Sequence, residues 1–306
     1  MKRSAKPISV IEGYTGMEFF IQQVVAGLTS GAIYACVALG LVMIFVSTDH
    51  INFAQGEMAM FATYLAWALI DAGVPYWIAF AGTILIAFVG GLLIQRFILK
   101  PLENAPVLAL VVCFIALLSI FNAMAGMIWS YTIKPFPSPF PALDLTGHGL
   151  VNVRQLGVVG VTLIMLGMLT VFFRFTTLGL AMRAAAQNAS SARLMGVRVS
   201  WMLALGWGLA AAIGATAGML VAPLVFLDPN MMTGILVYGF AAALVGGIAN
   251  PAGAVIGGFI VGVLENLVGS YIIGNELKLT FALAMVVGVL LFKPAGLFGR
   301  VIVKRV

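Results

Sequence analysis

Long apolar runs separated by short polar interruptions dominate the chain from about residue 19 to residue 292. Spans are expected at about Phe19–Val46, Tyr76–Ile94, Val107–Trp129, Leu156–Phe173, Trp201–Phe226 and Leu279–Phe292, with two more flanking Gly246–Gly253. Each is close to the roughly 20 residues that a helix needs to cross a hydrocarbon core of about 30 Å. A shorter apolar stretch, 58–70, follows the polar break Ser47–Glu57. The runs are continuously apolar and do not alternate with period two, which argues for helices and against a transmembrane barrel. The expected architecture is an all-α polytopic membrane protein of about eight or nine transmembrane or half-membrane helices, forming one domain over 1–306. Pro135, Pro137, Pro139 and Pro141 predict an extended loop over 130–154.

Composition agrees: 62% of the 306 residues are hydrophobic and 8% charged. The 35 glycines suit close helix packing in lipid. The net charge of +6 resides in connections and tails, the signature of positive-inside bias, and it does not point to nucleic acid. Cys36 and Cys113 fall inside apolar runs and read as packing residues. The first apolar run is expected to be retained, since no compact signal-peptide pattern follows the basic start.

The basic connections, 96–100, 174–198 and the tail from Lys293, fit one cytoplasmic face. The N-terminal end is open between two arrangements. Three full crossings before Arg96 would put Lys2, Arg3 and Lys6 outside; alternatively 58–70 is a half-span that does not cross.

Few residues could carry chemistry. His50 and His148 stand far apart without ligand-spaced partners, so no metal site is expected. No G-x-x-x-x-G-K-[ST] phosphate loop occurs, and no nucleophile–base pair suggests an enzyme. Gly246, Gly247, Gly257 and Gly258 read as packing and turn residues. The break around Asn52, Gln55, Gly56 and Glu57 is more informative. A helix starting near Gly56 would aim free N–H groups into the break, suiting a carboxylate; an ordinary surface loop is the competing reading. Glu265 is an acid deep in a late span, open between a functional role and a structural ion pair.

A weak internal echo links Gly27-Leu28-Thr29, Asp49–Asn52 and Gly56 to Gly208-Leu209-Ala210, Asp228–Asn230 and Gly234. Interrupted spans in corresponding halves point to a transporter's binding site, which brings Asn230 in beside the first break.

The interval 174–200 carries Arg174, Arg183, Arg193 and Arg198 and no acid. Thr176 or Thr177 is expected to cap a helix of good helix formers that Gly196 ends. Met182, Ala185, Ala189 and Ala192 would form a smooth face for a partner's groove; a helix lying on lipid headgroups is the competing reading. Alanine anchors poorly in lipid, which favours protein docking by a soluble motor subunit.

Four stretches resemble one family: Ile51–Glu57, Leu178–Val197, Gly246–Gly258 and Pro294–Gly299. They occur in the order found in inner-membrane permease subunits of bacterial ABC importers for branched-chain amino acids, the LivH type. One position departs, Gln55, where the family often has His. The resemblance implies partners: a second permease of the LivM type, two ATPase subunits that bind the ATP, and a periplasmic binding protein. It implies no cofactor in this chain and a multi-pass location in the bacterial inner membrane. It also makes 174–200 the segment coupled to an ATPase, bounded by Gly179 and Gly196 and bearing Arg183 and Ala184. Leucine, isoleucine and valine are the default cargo it implies, with other amino acids, urea or short amides carried by relatives. The alternative from the residues alone is an ion-driven transporter with Glu57 or Glu265 carrying a proton.

Overall fold

The computed structural model describes residues 16–48, 50–103, 105–145 and 151–299. His148, Asp49, the basic residues Lys2, Arg3 and Lys6, and Arg300 lie outside that set. The helices are α1 (Gly16–Thr48), α2 (Gln55–Asp71), α3 (Tyr76–Ile94), α4 (Val107–Trp129), α5 (Val153–Phe175), α6 (Thr177–Gln187) and α7 (Ala189–Leu194). They continue with α8 (Val199–Val225), α9 (Met231–Gly246), α10 (Pro251–Val268) and α11 (Lys278–Phe292). Among the described residues seven helical stretches are long and apolar enough to cross a membrane; α2 and α9 are shorter. The protein is a polytopic all-α membrane protein.

Helices α1, α8 and α10, with the shorter α2 and α9, form the interior. The spans of α1 and α8 are mostly buried and that of α10 half so, whereas those of α3, α4, α5 and α11 turn most of their surface outward. Glycine explains why α1 and α10 pack so closely. Each carries a G-x-x-x-G pair, Gly27/Gly31 on α1 and Gly258/Gly262 on α10. A Cβ added at Gly258 would lie 2.5 Å from the Cα of Ala35, and one at Gly262 would lie 2.4 Å from the Cα of Gly31. In lipid, where apolar surface gains little by leaving a lipid tail for a neighbouring helix, such backbone approach is the main source of association.

The connections sort the ends of the helices onto two faces. Arg193 of α7 pairs with Glu103 of the 95–103 turn at 3.3 Å. Ser47, at the end of α1, fills the space beside Gly206 near the start of α8. Because α10 runs antiparallel to α1, with Ser270 donating to Gln23 at 2.8 Å, the start of α10 joins the same face. The tail locks there too: Leu297 and Phe298 donate backbone N–H groups to Val245 and Gly246, and the Asn250 amide donates to the Phe298 carbonyl at 3.0 Å. All three basic connections therefore share one face. α1 begins on the opposite face, and α2 runs out to that same face. It starts, however, inside the bundle.

The basic interval differs from the single helix expected. Asn188 adopts an extended conformation, ends α6 and caps α7 by accepting from the Ser191 N–H at 2.9 Å. Its short side chain competes with the helical backbone, which is why the break falls there. Thr176 supplies the first cap, accepting from the Gly179 N–H at 3.0 Å. Gly196, at φ 81°, makes the left-handed stop, and the Val197 N–H reaches back to Ala192.

Candidate functional site

Two hooks of non-helical chain enter the bundle from opposite faces. The first, 50–54, turns back from the basic end of α1 and delivers the start of α2 to the interior. The second, 226–230, turns back from the opposite end of α8 and delivers the start of α9. The helices that follow run in opposite directions, as in an inverted repeat.

Polar side chains hold the first hook. Asn52 is fully buried; its Oδ1 accepts from the Ala54 N–H at 3.0 Å, and its amide contacts the Met58 sulfur. Gln55, 1% exposed, donates its amide across the bundle to the Ala210 carbonyl of α8 at 2.9 Å. Gly40 and Gly214 make the slot for it, since an added Cβ at either would come within 2.7–2.8 Å of Gln55 Nε2. Its Oε1 has no hydrogen-bond partner among the described residues. Gly56 sits against Met232 and Leu236 of α9. Buried Glu57 accepts from Asn122 of α4 at 3.3 Å.

Asn122 is the junction between the hooks. Its amide also faces the Pro229 carbonyl at 2.9 Å and Asn230 Oδ1 at 3.2 Å. It lies seven residues before the end of α4, about 10 Å inside the bundle at 1.5 Å per residue. Neither α2 nor α9 has a side-chain cap at its N-terminus. Two helix starts with uncapped N–H groups, and hence two positive dipole ends, thus point towards one polar junction within apolar surroundings. The sequence analysis did not single out Asn122, although it is the sole amide side chain in α4 and could have been marked for that reason.

Of the residues expected to line a path, Asn52, Gln55, Gly56, Glu57 and Asn230 come together here. Glu265 belongs to another group. It faces Tyr34 of α1 and Tyr238 of α9, which hydrogen-bond to it and stack on each other 4.8 Å apart. Its Oε2 has no hydrogen-bond partner among the described residues, and the Lys278 amine beside it reaches the Asn266 side chain at 3.2 Å.

The residues expected to meet a partner divide differently from the expectation. Met182, Ala185 and Ala192 do not form a free face: all three are buried against this chain, where Ala185 and Ala192 pack with Val199. Small residues there let α6 and α7 lie flat on the end of the bundle. Ala189 alone of the four is exposed. The outward surface carries Arg183 and the pair Leu194 and Met195, 90% and 84% exposed. Gly179 is buried where a Cβ would meet the Phe172 carbonyl at 2.4 Å; Ala184 is half-buried and Gly196 exposed.

Comparison with known proteins extends this geometry. A family model described as the permease component of branched-chain amino acid transport systems matches residues 23–290. The high-affinity branched-chain amino acid transport system permease protein LivH of Escherichia coli K12 is 31% identical over 305 residues, covering 94% of this chain and 98% of the relative. BraD of Pseudomonas aeruginosa, with the same description, is 31% identical over 303 residues at the same coverage. A probable LivH permease of Methanocaldococcus jannaschii is 28% identical over 279 residues, covering 86% and 87%. No solved structure matches the chain significantly. With the family model and these relatives extending across nearly all of its length, this chain belongs to the branched-chain amino acid transport permease family.

Proposed function

We propose that this chain is a transmembrane subunit of an ATP-driven importer for branched-chain or related small amino acids. It lies in a bacterial inner membrane with its basic face to the cytoplasm, which the positive-inside bias of its connections supports. The observation that carries the reading is the junction at Asn122, where two oppositely directed broken helices bring their N-termini together beside Asn52, Gln55 and Glu57. Helix N-termini of this kind favour a carboxylate passing between them. Few direct ligands are needed on such a path when affinity resides in a separate binding protein.

The chain has no phosphate loop, so ATP would be bound by two partner ATPases. A second permease would complete the passage, and a periplasmic binding protein would deliver the amino acid. The α6–α7 segment is the docking surface for an ATPase, and its outward residues Arg183, Leu194 and Met195 support that role. Apolar side chains this exposed at a basic, water-facing end mark a contact site.

The test is uptake of radiolabelled leucine into proteoliposomes. This chain is reconstituted alone, or with a second permease and ATPases from the same genome, under ATP or an imposed proton gradient. Uptake that needs ATP and the ATPases is expected. Uptake by the chain alone under the gradient would transfer the assignment to an ion-driven transporter using Glu57 or Glu265. In the same complex, Arg183→Glu with Met195→Glu should release the ATPases while the second permease stays bound.

A further inference from the structure

A cavity of about 230 Å³ lies on the basic face between α7, the start of α4, the start of α8 and the 95–103 turn, with Ser47 and Thr48 of α1 and His50 of the first hook also lining it. It is smaller than the roughly 300–1,000 Å³ typical of ligand pockets, which limits it to a small ligand. Its floor is apolar and rigid: Leu110, Phe114 and Trp207, the last two stacked with ring centroids 6.0 Å apart. The Trp207 indole N–H is fully buried and has no hydrogen-bond partner among the described residues.

The rim is charged. Lys100 and Glu103 stand on one side, on the 95–103 turn, and Arg193 of α7 stands on the other, paired with Glu103; Lys100 has no ion-pair partner among the described residues. Two bases against one acid leave a net positive rim over an apolar floor. We infer that this cavity binds a small carboxylate with a compact apolar tail from the cytoplasm, the class shared by aliphatic amino acids and their deaminated 2-oxo acids. The carboxylate sits between Lys100 and Arg193, and the tail reaches the Phe114–Trp207 floor. An ammonium group, if present, meets Glu103.

The position gives the site a consequence. Ala185 of α6 and Ala189 and Arg193 of α7 form one wall, while Lys100 and Glu103 belong to the turn after α3. A ligand bridging Lys100 and Arg193 adds a second tie to the Arg193–Glu103 pair that already joins the α6–α7 segment to that turn. Accumulated product would then brake the movement that drives its own import. Binding does not depend on the transport reading above; the braking role rests on it.

The experiment measures binding of radiolabelled leucine, and separately of 4-methyl-2-oxopentanoate, to the full chain in lipid nanodiscs. Lys100→Glu and Ala189→Trp change exposed positions and leave the interior packing intact. Each is expected to weaken binding at least tenfold. Leucine alone binding assigns the ammonium contact to Glu103; binding of both compounds assigns recognition to the carboxylate and tail. No saturable binding of either compound up to about 10 mM overturns the inference. So does binding that ignores both variants, or that follows only the anionic-lipid content of the disc. In the assembled transporter, leucine on the cytoplasmic side should slow ATP-driven uptake by the wild type and not by Lys100→Glu. If ATP-driven uptake itself fails while binding persists, the transport reading falls and the site stands.

Discussion

The two hooks share a layout and differ in how they are held. The first is plugged into the bundle by side chains: buried Asn52 and Gln55, with Gln55 reaching the α8 backbone through a slot cut by Gly40 and Gly214. The second is held chiefly by backbone. Leu227 and Lys134 exchange N–H···O bonds of 3.0 and 2.9 Å, joining the hook to the loop after α4. Phe226 takes φ 66° there, and Asn230 stays exposed. Side-chain anchoring in the dry interior is sensitive to single substitutions; backbone anchoring near water tolerates them. Asn122 bonds both to Glu57, just after the first hook, and to Pro229 and Asn230 of the second.

Substitutions can break this contrast in graded steps. The largest effect is expected from Gly214→Val, which would push Gln55 out of its slot. Overpacking of this kind costs about 1–3 kcal/mol or more, and thermal unfolding in detergent would register it as a lowered midpoint. Gln55→Ala should follow, losing about 1–3 kcal/mol through a lost hydrogen bond and an unfilled space. A midpoint equal to wild type would mean that the hook does not depend on its side chain. Asn122→Ala should lower stability by about 1 kcal/mol and cut transport in the assembled complex far more, because it unties the hooks from each other. Full transport in that variant would remove the junction from the path.

On the second hook, Lys134→Met keeps the backbone bridge and loses the contact of the Lys134 amine with the Trp67 ring, 4.7 Å from its centroid. The expected cost is about 0.5–1 kcal/mol, read from chemical denaturation. The smallest change is Gly234→Ala, the counterpart of Gly56 in the other half. Nothing lies within 4 Å of the added Cβ, so a gain of up to about 0.5–1 kcal/mol from helix propensity is expected. Destabilisation instead would show that this face of α9 is covered by a partner.

Much of the fold was legible because lipid imposes simple rules. Tyr76–Ile94 and Val107–Trp129 appear in the structure with the bounds expected from hydropathy. The first-hook residues could be marked because four polar positions in an apolar field are conspicuous. Asn122 escaped notice because its neighbours in sequence are ordinary span residues and its partners lie 65 and more residues away. The direction of the Met182–Ala192 face was misassigned for a related reason. A small-residue stripe fits a partner's groove and the chain's own bundle equally well, and sequence spacing does not distinguish them. Asn188 was a local signal that strong helix propensity on both sides concealed.

By itself the sequence determined that this is a multi-pass helical membrane protein, where its spans lie and which connections are basic. These follow from backbone hydrogen bonds that must close within helices in lipid and from the charge bias of short connections. Tertiary structure alone decided that α1 begins opposite the basic face, that the hooks enter from opposite sides, and that Asn122 joins them. It also decided that α6 and α7 turn their small residues inward and that a charged-rim cavity opens beneath α7. Those outcomes depend on contacts between residues far apart in the chain, whose geometry is set by how closely glycine lets helices approach.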